Sequence, residues 1–81
     1  MFIAKYIIYR EFRTGNDVAD VFSPKIQHVD RHMTHCEEGN QPIAAGICMV
    51  FNGRVTCEGN SETLQLAGRG TKDAQIIQQL E

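Results

Sequence analysis

Three histidines fall within positions 28–35, in the stretch I-Q-H-V-D-R-H-M-T-H, and the chain has no others. On a helix, His28, His32 and His35 stand at i, i+4 and i+7 and project from one face. Two or three imidazoles so arranged suit zinc or nickel. Such a site also wants a carboxylate or thiolate from elsewhere, and the spacing identifies none. An imidazole titrating near pH ~6.5 can instead serve as a general base. The polar margin of a helix is the third reading, and the simplest one for His32 and His35.

A second candidate is G-R-G-T-K, Gly68 to Lys72. Its glycines free the backbone, and a helix starting there would turn unpaired N–H groups toward an anion. Arg69, Gly70, Thr71 and Lys72 would then form an anion site, although the spacing is not that of a phosphate-binding Walker loop. A third is the polar corner Glu58-Gly59-Asn60-Ser61-Glu62, where a hydroxyl and free amides could hold a phosphate oxygen.

The elements that must position these groups follow from local pattern. Phe2 to Arg13 is rich in Ile, Tyr and Phe and is expected to be a strand. Because Ile7 and Ile8 point to opposite faces, the strand should be covered on both sides. After a turn at Thr14 to Asp17, Val18 to Phe22 should pair back as a hairpin. Ser23-Pro24 then reads as a helix start running to about Glu38. On that helix Ile26, Val29, Met33 and Cys36 share the apolar arc, with the histidines on the arc beside it.

Asn52-Gly53 is the strongest short-range hairpin signal in the chain, because a type I′ turn needs positive φ at both central residues. The register it sets pairs Val50 with Val55 and Cys48 with Cys57. Thr63 to Ala67 reads as a short strand with Leu64 and Leu66 inward. Thr71 is expected to cap a last helix, Lys72 to Glu81, packed through Ala74, Ile77 and Leu80. The expected fold is a single α+β domain over residues 1–81, with a mainly antiparallel sheet of four to five strands, two packed helices and the order ββαβββα.

Composition narrows the function. A net charge of −2, with no basic run longer than a dipeptide, opposes a nucleic-acid binder that tracks phosphates. No apolar run approaches the roughly 20 residues needed to cross a bilayer. Three cysteines without C-x-x-C spacing read as reduced thiols in a soluble cytoplasmic protein. Only one small core fits in 81 residues, so a homodimer would add useful burial. No cofactor is implied.

Three short motifs, in order, resemble the janus family, which includes phosphohistidine phosphatase. Lys5-Tyr6-Ile7-Ile8-Tyr9-Arg10 is similar to that family's K-Y-V-L-I-R strand, His28-Val29-Asp30 to its H-A-D segment, and Gly59-Asn60-Ser61 to its G-Y-S corner. The resemblance implies a phosphorylated protein substrate. It further implies His28 as catalytic base, and Lys5, Ser61, Gly59 and Asn60 as phosphate-binding residues. The chain departs from the pattern at Gln27, where the family has an aromatic residue, and at Glu62, whose carboxylate would repel an anion. The tail from Gly59 also resembles small uncharacterised bacterial proteins ending in G-x-S-x-x-L-x-L, which brings no function with it.

Taken together, the sequence favours a non-catalytic domain of undetermined activity. The specific alternative is a phosphohistidine phosphatase-like hydrolase using His28, Lys5 and Ser61. A metal-binding protein using the histidine stripe is the third reading. The hydrolase requires those three residues to meet in one pocket.

Overall fold

The computed structural model describes residues 2–36 and 39–79. Its elements are β1 (Phe2–Arg10), β2 (Asp17–Phe22), α1 (His28–His35), β3 (Gln41–Phe51), β4 (Arg54–Glu58), β5 (Asn60–Ser61), β6 (Leu66–Ala67) and α2 (Thr71–Gln78). Four strands form an antiparallel sheet in the order β2-β1-β3-β4, and β5 pairs with β6 in a separate two-stranded ladder. The α+β class and the mainly antiparallel sheet are as expected. The extra strand is β5, which the polar corner sequence did not announce.

Central β1 is covered on both faces, as the adjacent isoleucines require. On one face Ala4, Tyr6 and Ile8 pack with Cys48, Val55 and the α2 residues Ala74 and Ile77. On the other, Ile7, Tyr9, Phe22 and Ala45 pack with Leu64, Leu66 and Cys36. Ile7 and Ile8 are both fully buried, each worth roughly 1.5–3 kcal/mol against exposure.

The β3–β4 hairpin turns at Asn52 (φ 52°) and Gly53 (φ 77°), the left-handed pair that Asn-Gly supplies without strain. Its register sets Cys48 opposite Cys57 and Val50 opposite Val55. Burial pushes the Cys48 thiol up, and burial with Cys48 and Asp73 nearby pushes Cys57 up to about 12. Both cysteines are free thiols packed as small apolar groups.

The helices depart from expectation at their ends. Ser23-Pro24 opens a turn and not α1: the Lys25 N–H donates to Ser23 Oγ at 3.2 Å, and the Ile26 N–H to the Ser23 carbonyl at 3.1 Å. Proline's fixed φ suits the second position of such a turn as well as the first turn of a helix. Helix α1 therefore starts at His28 and ends at His35, with Cys36 already extended. The expected end near Glu38 lies outside the described residues. Gly70, at φ 61°, stands at the start of α2 where Thr71 was expected to cap, and Leu80 lies outside the described residues. The strand expected over Thr63 to Ala67 shrinks to Leu66–Ala67, because residues 62–65 turn, with Gln65 at φ 55°.

The packed face of α1 also differs from the wheel. Met33 is 78% exposed, whereas His28 is 6% exposed. With the helix beginning later, it docks on its histidine side against the aromatic Tyr9 and Phe22. Arg31 fixes it further: Nε and Nη2 each donate to the Asp20 carboxylate at 2.8 Å, and the guanidinium lies 5.4 Å from the Phe22 ring centroid. An eight-residue helix is marginal alone, so these contacts hold α1 in place.

Candidate functional site

Helix α1 begins over the middle of β1 and β3, and the corner after β4 folds back toward the same place. Lys5 of β1, His28 at the first position of α1, and Asn60 and Ser61 of β5 consequently line one cavity of about 170 Å³, with Gln27, Ile47, Glu62 and Thr63. Lys5, His28 and Ser61, the three groups required to converge, thus share one pocket. Gly59 is not in the lining. It makes the turn into β5 at φ 79°, and its carbonyl accepts the Gly68 N–H at 3.0 Å.

His28 is held from several sides. Its Nε2 lies 3.0 Å from the Gly46 carbonyl oxygen, and its ring stands edge-on to Phe22 at 5.6 Å between centroids. A carbonyl can only accept, so the proton sits on Nε2 and the neutral ring keeps its lone pair on Nδ1. Burial pulls the imidazole below its ordinary value. The Gly46 carbonyl opposes that shift, the Lys5 charge reinforces it, and the Tyr6 carbonyl opposes it more weakly. The ring is therefore neutral near pH 7, the form that can accept a proton.

The Lys5 ammonium donates to the Ile26 carbonyl at 2.9 Å, which brings its charge over the turn entering α1. The Ser61 hydroxyl accepts the Leu64 N–H at 3.2 Å and lies 3.2 Å from the Thr63 hydroxyl. Gln27 precedes the helix without a side-chain cap. The first N–H groups of α1, which have no intrahelical partner, start at the wall of the pocket. Among the residues lining the pocket the one carboxylate belongs to Glu62. Asp30 is exposed, and no bond among the described residues joins its carboxylate to His28.

Neither the histidine stripe nor the glycine-rich turn behaves as the spacing suggested. His32 stacks on Tyr9 at 5.7 Å, with Nδ1 3.0 Å from the Tyr9 hydroxyl, while His35 is exposed. Among the described residues no three His, Cys, Asp or Glu side chains come together to hold a metal ion. One histidine faces Gly46, one faces Tyr9 and one is exposed.

At the turn, Arg69 donates its main-chain N–H to Asp73 Oδ2 at 2.6 Å and its Nε to Oδ1 at 2.7 Å. Its Nη1 lies 3.6 Å from Asp17. The Asp73 carboxylate thus engages the Arg69 side chain and main-chain N–H that the anion reading assigned to a ligand. Gly70 and Thr71 line a different groove, against β4, and Lys72 is exposed.

No family model matches this chain. No curated protein and no solved structure is detectably similar to it either. The functional reading therefore rests on the pocket.

Sequence reasoning missed Gln27, Ile47 and Thr63 in that lining. Thr63, a second hydroxyl two residues after Ser61, was the readable signal. It also missed Asp73, which is fully buried and accepts the Tyr6 hydroxyl at 2.6 Å from the other side of the sheet. That bond, after burial, drives the Tyr6 phenol well above its ordinary value.

Proposed function

We propose that the protein binds a phosphoryl group in the Lys5–His28–Ser61 pocket and hydrolyses it with His28 as general base. One observation carries this reading: groups 23 and 33 residues apart in sequence line a single cavity, with the imidazole fixed in one tautomer. At about 170 Å³ the cavity is small; drug-sized ligands fill roughly 300–1,000 Å³. A compact tetrahedral group suits it better than a nucleotide or an organic cofactor.

In this mechanism His28 Nδ1 takes a proton from the water that attacks phosphorus. Lys5, the Ser61 hydroxyl and the first N–H groups of α1 stabilise the charge that grows on the phosphoryl oxygens. With a phosphohistidine substrate the P–N bond breaks and its electron pair passes to the leaving imidazole nitrogen. That nitrogen takes up the proton His28 removed from the water, and inorganic phosphate is released. The resemblance to the janus family points to the same substrate class.

Titration of the labelled protein with inorganic phosphate, followed by amide NMR, tests the binding step. Saturable shifts at His28, Asn60 and Ser61, weakened in Lys5→Met, are expected. Unmoved resonances at millimolar phosphate would overturn it.

A non-catalytic domain is the second reading, favoured by the partners that Lys5 and Ser61 already have in Ile26 and Leu64. It predicts the unmoved spectrum.

A further inference from the structure

The two edges of the four-stranded sheet are treated differently by their own chain. On β2, Asp17 is bound by Arg10 and Arg69, and Asp20 by Arg31. On β4, Arg54 and Glu58 form no ion pair among the described residues. Their side chains share a face with Thr56, since Val55 and Cys57 between them turn to the α2 side.

Main-chain direction on β4 is fixed by the hairpin. With Phe51 opposite Arg54 across a two-residue turn, that pair exchanges hydrogen bonds and the next, Val50 with Val55, does not. The Val55 N–H accordingly points out of the sheet, where it donates to Gln78 Oε1 at 3.0 Å. Gln78 Nε2 donates in turn to the Gly53 carbonyl at 2.9 Å. The Gln78 amide thus covers the edge as a peptide group of another strand would. By the period of two, the N–H and carbonyl of Cys57 face the same way as those of Val55. A groove of about 480 Å³ is lined by Arg54, Val55, Thr56 and Cys57 of that edge, with Gly70, Thr71 and Ala74 opposite.

We propose that this edge pairs with β4 of a second copy, antiparallel about a two-fold axis at Thr56, replacing the Gln78 amide at Val55. The segment Arg54-Val55-Thr56-Cys57-Glu58 is self-complementary in that register. Arg54 meets the partner's Glu58, and Glu58 meets the partner's Arg54. Val55 faces the partner's Cys57 as a hydrogen-bonded pair, and Thr56 faces the partner's Thr56 as a non-bonded one. Opposite charges directly across a strand pair are favourable and like charges unfavourable, and a two-fold contact counts each pair twice. Any other whole-residue register loses the double charge match. The occupant is therefore another molecule of this chain, and the surface is independent of the His28 pocket.

Sedimentation velocity from micromolar to millimolar protein tests this, with circular dichroism to confirm that each variant folds. Wild type dimerises. Arg54→Glu and Glu58→Arg each bring like charges together and weaken the dimer about tenfold or more. The double variant Arg54→Glu/Glu58→Arg restores it. Thr56→Cys crosslinks under mild oxidation, because non-bonded partners stand ~4.5 Å apart at Cα, within disulfide reach. A wild type that stays monomeric to millimolar concentration overturns the proposal. So does a dimer indifferent to the single swaps, or a double variant that fails to restore association.

Discussion

The Nε2 of His28 and the carbonyl oxygen of Gly46 lie 3.0 Å apart beneath the first turn of α1. This bond connects a catalytic candidate to the central sheet, fixes the tautomer of the ring, and ties the pocket to the stability of the fold. Three consequences for stability follow from it and from the neighbouring contacts of Tyr6.

The first is pH dependence. In the native protein the His28 imidazole titrates below its ordinary value, chiefly through burial, whereas in the unfolded chain it titrates near ~6.5. Between the two values the unfolded state binds more protons, so stability rises with pH in that window. The contribution is complete above pH ~6.5 and is lost as pH falls through the native value. His28→Gln keeps an N–H donor for Gly46 without a titrating ring. Urea midpoints measured from pH 7 to 5 should fall less steeply in this variant than in wild type. Identical slopes would show that His28 is not the group responsible.

Tyr6 and Asp73 give the second. The Tyr6 hydroxyl donates to a fully buried carboxylate that Arg69 holds from the other side. Tyr6→Phe removes one partner and leaves the carboxylate buried, at an expected cost of roughly 1–3 kcal/mol. Asp73→Ala removes the acceptor of the Tyr6 hydroxyl and of two Arg69 donors, leaves Arg69 with Asp17 alone, and should cost more than Tyr6→Phe. Equilibrium denaturation of both variants checks the ranking, and a Tyr6→Phe protein as stable as wild type would contradict it.

The third concerns Gly46. A Cβ at this position would lie 2.6 Å from the Glu58 carbonyl oxygen and 3.2 Å from the Tyr6 hydroxyl. Backbone, not a flexible side chain, makes the closer contact, so β3 or β4 must shift to admit a methyl group. Gly46→Ala is expected to destabilise by roughly 1–3 kcal/mol. It should also move the His28 ring resonances, because the same residue supplies the ring's acceptor. Unchanged ring resonances in a folded Gly46→Ala protein would separate the pocket from the strand.

Much of the fold was legible because its signals are local. Asn52-Gly53 dictated a turn, and the turn dictated the register of Cys48 with Cys57. Ile7 and Ile8 side by side demanded cover on two faces. What escaped depends on contacts that no local pattern encodes. Ser23-Pro24 satisfies a turn and a helix start equally well, and only Ile26 bonding back to Ser23 decides between them. The wheel gave α1 an apolar face through Met33. The helix instead docks through histidines, because the aromatic rings of Tyr9 and Phe22 and the carboxylate of Asp20 lie beneath it.

The site divided in the same way. Lys5, His28 and Ser61 were singled out together by the resemblance to the janus family, and they line one cavity. Arg69 was picked out by type, but its charge is taken by Asp73, four residues on, whose burial a helix wheel does not reveal.

The most direct test of the central claim is phosphate release from a phosphohistidine peptide, with wild type, His28→Ala and Lys5→Met compared at pH 7. General-base catalysis contributes about 10²–10⁴-fold. Wild type should therefore release phosphate well above the spontaneous rate of the peptide, with at least a hundredfold loss in His28→Ala and a clear loss in Lys5→Met. Release at the spontaneous rate by all three proteins, or equal release by wild type and His28→Ala, would contradict the account.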